Sequence, residues 1–93
     1  MKRWTQIFRA LANRNRLALI VLLADGRERY VTDLAAYIHV SMASTSRHLR
    51  ILSDLNILNE IGKDGHVYYV FHPVVPKDIN IVLGPFLRAV RDR

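Results

Sequence analysis

The chain has 93 residues, 51% hydrophobic and 24% charged, which favours one small globular domain over residues 1–93 and excludes a disordered segment. Lysine and arginine number 14 against 8 acidic residues, and the net charge of +6 favours a polyanionic partner, nucleic acid before membrane. The absence of cysteine excludes disulfides, thiolate metal sites and thiol redox sensing.

Neither a membrane segment nor an active site stands out. The longest apolar run, residues 17–24, is too short for a bilayer, which takes about 20 residues. Trp4, Gln6 and Arg9 interrupt the N-terminal segment where a signal peptide needs an apolar core, so we expect a cytoplasmic, nucleoid-associated protein. The sequence has no evident carboxylate pair, glycine-rich phosphate loop or Ser/His/Asp set, and we expect a non-enzyme without a cofactor.

Residues 3–12 are predicted to form a first helix with one broad apolar face. The residues at helical spacing on that face are Trp4, Ile7, Phe8 and Leu11. Such a face on a short terminal helix needs a partner surface, which is either the core of this domain or a second subunit.

Asn13 is placed to cap a second helix that runs to Ala24, with Gly26 just past its end. Arg14 and Arg16 in its first turn oppose the helix dipole, which suggests that they contact phosphate; two solvated arginines are the alternative. The predicted buried side consists of four apolar residues, Leu17, Ile20, Val21 and Ala24.

Residues 32–55 are predicted to form a helix-turn-helix. Thr32 would cap a short helix over 32–38, whose inward residues are Leu34, Ala35 and Ile38. His39-Val40 is a tight turn into a fourth helix, which begins after the N-cap Ser41 and ends at Asn56.

The fourth helix has the composition of a recognition helix. Leu49, Leu52 and Leu55 make a buried stripe, while short hydroxyls and arginines face outward. Such a face can enter a DNA major groove, although an ordinary amphipathic surface helix is the alternative. The residues assigned to the outer face and the helix start are Met42, Ala43, Ser44, Thr45, Arg47 and Arg50.

Residues 57–72 are predicted to form a β-hairpin wing, with strands at 57–61 and 66–72 and Asp64-Gly65 in the turn. Residues 78–92 are predicted to form a terminal helix, either bent or broken at Gly84-Pro85. The predicted fold class is therefore mainly α with a β-hairpin wing, a winged helix-turn-helix in the order α-α-α-α-β-β-α.

These segments resemble the ArsR/SmtB winged-helix repressors over roughly residues 5–72. The most specific stretches are S-M-A-S-T-S-R-H-L and G-H-V-Y-Y, at residues 41–49 and 65–69. The others are Phe8 to Asn13, Arg16-Leu17 and Asp33-Leu34-Ala35. The resemblance implies a homodimer built from the first and last helices, which binds imperfect inverted repeats in promoter DNA.

The resemblance and the residue pattern together give the candidate sites. By position, Ser44, Ser46 and Arg47 match family residues that meet DNA, and His48 matches a frequent histidine that is either a contact or packing. The full predicted DNA-binding set is Ser41, Met42, Ser44, Thr45, Ser46, Arg47, His48, Arg50, Arg14, Arg16, Lys63 and His66. The predicted dimer interface, on helices 1–12 and 78–92, is Trp4, Ile7, Phe8, Leu11, Leu83, Phe86, Leu87 and Val90.

The chain departs from the family's metal-binding patterns. Tyr30 and Thr32 stand where some members carry a Cys-x-Cys, and no histidine follows His72 where others hold zinc on the last helix. His66 and His72 share a strand face but lie about 20 Å apart, too far for one ion. We therefore expect no metal site and no metal response, with any small-molecule effector unknown.

The predicted function is sequence-specific binding of double-stranded, inverted-repeat DNA by a homodimeric transcriptional regulator, a repressor by resemblance. A winged helix also serves as a protein-interaction or dimerisation module without DNA binding. In that alternative the Trp4 and Phe8 face and the C-terminal apolar stripe would contact a different protein.

Overall fold

The structure is a computed structural model that describes residues 1–92; Arg93, the last residue of the predicted domain, lies outside the described residues. Within that range it contains α1 (Lys2–Leu11), α2 (Arg14–Leu23), β1 (Arg29–Tyr30), α3 (Val31–Ile38), α4 (Met42–Asp54), β2 (Leu58–Lys63), β3 (His66–Phe71) and α5 (Lys77–Arg91). The predicted fold class, a mainly α winged helix-turn-helix with a β-hairpin wing, is confirmed.

The strand β1 is the one element that the sequence did not predict. It pairs antiparallel with β3, with Arg29 opposite Tyr69 and Tyr30 opposite Tyr68, so the sheet has the order β1-β3-β2. The predicted order α-α-α-α-β-β-α lacks this strand. A strand of two residues is too short to show a periodic pattern in the sequence, and β1 is recognised only by its pairing with β3.

Local residue chemistry sets the starts of α2 and α4 and the turns that follow α3 and α4. The Asn13 side chain accepts a hydrogen bond from the Arg16 N–H at 3.1 Å, and the Ser41 hydroxyl accepts one from the Ser44 N–H at 3.1 Å. His39, the C-cap of α3, and Asn56, just after the C-cap of α4, are both left-handed, with φ of 57° and 59°. The turn of the helix-turn-helix and the exit from α4 therefore follow from the sequence.

Two predictions about α2 and α3 are wrong. Helix α3 begins at Val31 with Tyr30 as its N-cap, so Thr32 lies inside the first turn and does not cap the helix. The buried residues of α2 are Leu19, Ile20 and Leu23, whereas Ala24 is exposed. From Leu17 onward α2 is apolar on every side, so its own pattern does not select the inward face, and the packing of its neighbours does.

The wing is a hairpin with a tight turn. Asp64 and Gly65 both have positive φ, 55° and 75°, as the two central residues of a type I′ turn require. The turn pairs Lys63 with His66 and brings β2 and β3 into register along their whole length. The first strand of the wing, predicted at 57–61, is β2, which covers Leu58–Lys63.

Helix α5 runs without a break through Pro85, so of the two alternatives predicted at Gly84-Pro85, a bent or a broken helix, the broken one is excluded. An interior proline removes one hydrogen bond and costs roughly 3 kcal/mol. Ile79 and Leu83 are almost fully buried on one side of α5, and a continuous helix keeps Phe86 packed on the same core. The burial of this stripe offsets the cost of the proline.

The core lies between the helices and the inner face of the sheet. Leu49 and Leu52 of α4 are fully buried in it together with Ile57 and Leu58 at the start of the wing. This packing fixes α4 by its leucine stripe and leaves the opposite face of α4 open to a ligand.

Candidate nucleic-acid interface

The open face of α4 carries most of the predicted contact residues. Arg47 and Arg50 are exposed, Met42 is 46% exposed, and Ser44 and Ser46 are half-buried. The Ser41 cap holds the first turn of α4, so these side chains project from a fixed backbone. Two guanidiniums and two hydroxyls on one rigid face supply hydrogen-bonding groups of the kind that read base edges.

Thr45 does not belong to this face, and its assignment as a contact residue is wrong. Its side chain is fully buried, and its hydroxyl has no hydrogen-bond partner among residues 1–92. Thr45 precedes Leu49 by four residues and Leu52 by seven, so helical spacing places it on the leucine stripe. That signal was present in the sequence.

Arg16 and His48 contact each other, although the sequence suggested separate contacts with DNA. Nη1 of Arg16 lies 3.1 Å from Nδ1 of His48. The other Arg16 nitrogens donate to backbone carbonyls at the end of α1, so the side chain is directed inward. Burial, and then the charges of Arg16 and Arg47, lower the pKa of His48 from its usual value.

Arg14 remains available for a phosphate contact. It is exposed in the first turn of α2, where Arg14 and Asn15 border a surface concavity of about 430 Å³. The far wall of the concavity is formed by Tyr37, His39 and Val40 from the end of α3 and the turn. A cation beside the N-terminus of a helix suits an anionic ligand.

Lys63, the lysine of the wing, forms an ion pair with Glu28. Lys63 Nζ lies 2.8 Å from Glu28 Oε1 and 5.1 Å from the centre of the Tyr68 ring. The Tyr68 hydroxyl donates to the Tyr30 hydroxyl at 2.7 Å, and this bond is the main cause that raises the pKa of Tyr68. The sequence did not predict the contacts of Glu28 and Tyr30 with Lys63 and Tyr68, which depend on the unpredicted strand β1 and the residue before it.

A groove of about 380 Å³ separates α4 from the wing. Arg50, Ser46 and Met42 line its α4 side, and His66 and Glu60 lie on the wing side. The buried Tyr69 hydroxyl donates to Glu60 at 3.0 Å, and burial followed by this bond raises the pKa of Tyr69 to about 12. His66 packs edge-on against Tyr30, with ring centres 5.4 Å apart.

The predicted dimer residues divide into a core set and a surface set. Ile7 and Leu83 are almost fully buried and Leu11 is 7% exposed, so these three pack the protomer and their assignment to an interface is wrong. The rest form what we call the aromatic patch: Trp4, Phe8, Phe86, Leu87 and Val90, half-buried except for Phe8, which is 53% exposed. A bidentate Arg3–Asp78 pair also joins α1 to α5.

A family model for bacterial regulatory proteins of the arsR family matches residues 13–60, about half of the chain, from the cap of α2 into the wing. The chain belongs to the arsR family. The matched segment contains the complete helix-turn-helix, and the family consists of regulatory proteins and not of enzymes.

Curated relatives agree with this assignment. The chain is 34% identical over 77 residues to the arsenic resistance transcriptional regulator of Pseudomonas putida, an alignment that covers 83% of this chain and 60% of the relative. It is 32% identical over 71 residues to the arsenical resistance operon repressor of Escherichia coli, covering 76% and 61%. The chain thus spans about three fifths of the length of these arsR-family relatives.

Solved structures show the same fold. A homodimeric winged helix-turn-helix DNA-binding domain from Mycobacterium bovis, a possible ArsR-family regulator, superposes with a TM-score of 0.74 at 25% identity. The match covers 98% of this chain and 80% of that domain. Over residues 1–92 the arsR-family fold described here includes no helix that is both long and apolar enough to cross a membrane.

Proposed function

We propose that the protein is a transcriptional repressor that binds inverted-repeat promoter DNA as a homodimer, at the nucleoid in the cytoplasm. The observation that carries the proposal is the capped helix α4, fixed by its leucines and open on the face that holds Arg47 and Arg50. The helix-turn-helix, the net charge of +6 and the repressor relatives support it. Selection of bound fragments from random duplex DNA tests it, and a selected site with dyad symmetry is expected.

The proposed contacts fall into two classes. Arg47, Arg50, Ser44 and Ser46 on α4 read bases, while Arg14 contacts phosphate and helps to set the register. Failure to select any duplex at low salt, together with stable binding of another protein, would instead favour the alternative of a protein-interaction module.

Glu28→Gln is expected to strengthen binding to all duplex sequences by a few fold, about 1 kcal/mol for one added phosphate contact. Glu28 holds Lys63, the wing's cation, at 2.8 Å, and the neutral amide releases it for a phosphate. Fluorescence anisotropy over a salt series should show a slope steeper by about one unit. The matched control is Glu60→Gln, which removes the same charge from the partner of Tyr69; equal effects of both variants would contradict a role for Lys63.

Metal ions are expected to leave DNA affinity unchanged. Residues 1–92 contain no cluster of three or more metal-binding side chains, and thiophilic ions require thiolates. The phenol of Tyr30, at one of the family's cysteine positions, is hydrogen-bonded to Tyr68. We therefore propose that this regulator does not respond to the metals for which its relatives are named.

Titration of the DNA complex with micromolar zinc, cadmium and arsenite checks this. The double variant Tyr30→Cys, Thr32→Cys restores a Cys-x-Cys pair and serves as the positive control for thiophilic binding. A stoichiometric zinc isotherm for the wild type, with a parallel drop in DNA affinity, would show that ligands are shared between subunits.

A further inference from the structure

The guanidinium of Arg16 joins three helices. Its Nε donates to the Ala10 carbonyl at 2.6 Å and its Nη2 to the Arg9 carbonyl at 3.3 Å, while Nη1 lies 3.1 Å from His48 Nδ1. Ala10 and Arg9 belong to the last turn of α1, where carbonyls lack helical partners. From the first turn of α2, Arg16 thus closes the end of α1 and reaches the middle of α4.

We propose that Arg16 is a positioning residue that fixes the recognition helix α4 relative to α1, the helix that carries Phe8 of the aromatic patch. The proposal rests on the proposed function, because the position of α4 matters only when two copies meet one DNA site. In a twofold dimer built on the aromatic patch, the distance between the two α4 helices depends on the α1–α4 geometry of each protomer. Any displacement in one protomer is repeated in the other.

The chemistry of the link requires arginine. The guanidinium presents donors on three nitrogens in one rigid plane, so it satisfies two carbonyls and an imidazole at the same time. The lysine ammonium is a point charge on a flexible stem and does not hold this fork. Placing a cation at the C-terminal end of α1 is also favourable for the helix dipole.

His48 must be neutral for the link to exist. Because Nη1 of Arg16 only donates, Nδ1 of His48 must accept, and its proton lies on Nε2. The charged groups that act on the imidazole are both cations, Arg16 from α2 and Arg47 from α4 itself, and with burial they lower the pKa of His48. Protonation turns the acceptor into a donor that faces a guanidinium, and the link breaks.

The sign of the pH effect follows from that lowered pKa. The unfolded chain binds the proton more readily than the folded chain, so the stabilising contribution is complete above the ordinary pKa of roughly 6.5. It decreases as the pH falls below that value. The same fall in pH is expected to make the position of α4 relative to α1 less fixed in the DNA complex.

Two substitutions at His48 separate positioning from general effects. His48→Asn keeps an acceptor, Oδ1, close to the place of Nδ1, and this acceptor does not titrate. His48→Ala removes the acceptor and leaves the α1 end of the Arg16 fork intact. Arg16→Lys, which loses the fork, is expected to behave like His48→Ala.

The experiment measures affinity for the selected operator and for versions with one base pair added or removed between the half-sites. His48→Ala is expected to reduce the wild-type preference for the native spacing about fivefold, the ratio for one lost hydrogen bond. His48→Asn should keep that preference. As the pH falls from about 7.5 through the lowered pKa of His48, the wild type should lose preference and His48→Asn should not, a comparison that cancels protonation of the other histidines.

Circular dichroism checks that each variant is folded. The comparison of the wild type with His48→Asn does not depend on a destabilised variant. If the wild type selects an operator but His48→Ala keeps the preference for the native spacing, the positioning role of Arg16 is overturned and the proposed function is not. An equal loss of affinity at all three spacings, which is what a merely stabilising contact produces, would have the same consequence. A wild type that selects no operator would overturn the proposed function, and the positioning role with it.

Discussion

Arg47→Ala is expected to weaken binding to the selected operator by about 1–3 kcal/mol and to relax one base position in each half-site. Arg47 is exposed on the open face of α4 and acts on His48 only as a nearby charge, so its planar fork is free to pair with a guanine edge. Competition binding against operators substituted at each position measures both effects.

Two further variants that each remove one positive charge serve as references for the effect of Arg47→Ala. Arg14→Ala, at the start of α2, should weaken all sequences alike and lower the salt slope by about one unit, as a phosphate contact does. Lys77→Ala, exposed at the start of α5, removes one positive charge away from α4 and from the aromatic patch and should change little. If Arg47→Ala also weakens every sequence equally, Arg47 contacts phosphate and the base readout lies elsewhere on α4.

Residue types that act on their own backbone made much of the fold predictable. Asn13 and Ser41 cap helices through their side chains, and Asn56 and Asp64-Gly65 take the left-handed conformations that end a helix and close a hairpin. Each effect operates within a few residues, so one sequence is enough to place it. The boundaries of α4 and of the wing turn follow from these positions.

The missed features depend on residues that are far apart in the chain. Arg16 and His48 are separated by 32 positions, and Glu28 and Lys63 by 35. No local pattern shows that a cation is already occupied by a carbonyl, an imidazole or a carboxylate. For this reason the sequence assigned Arg16 and Lys63 to phosphate, whereas the structure shows that each has a partner within the protein.

The apolar face of α1 illustrates a second limit. Ile7 and Phe8 are neighbours in one stripe, yet Ile7 is fully buried and Phe8 is 53% exposed. The apolar face of α1 is wider than the surface that α2 and α5 cover, so part of it is buried and part is exposed. The helical period identifies the whole face but does not show which part the neighbouring helices cover. Thr45 is the opposite case, because its spacing to Leu49 and Leu52 already placed it inside.

Phe8→Glu is expected to convert the protein to a monomer and to weaken operator binding by at least about a hundredfold, since the two half-sites then bind independently. Phe8 stacks on Trp4 with ring centres 5.8 Å apart, and beside it Phe8, Phe86 and Leu17 border an apolar cavity of about 260 Å³. A contiguous apolar surface of this kind marks an interaction site, and an unpaired carboxylate buried there opposes association.

The variant should keep its fold, because the Phe8 side chain is largely exposed in the protomer and the core residues of α1 are unchanged. Val74→Glu, at a site 75% exposed between β3 and α5, is the matched control and should remain dimeric. Analytical ultracentrifugation at micromolar concentration, paired with binding to full and half operators, distinguishes the outcomes. In the wild-type dimer the two α4 helices should lie about 34–36 Å apart, one turn of DNA. A wild type that sediments as a monomer, or a Phe8→Glu variant that stays dimeric, would show that the aromatic patch is not the homodimer interface.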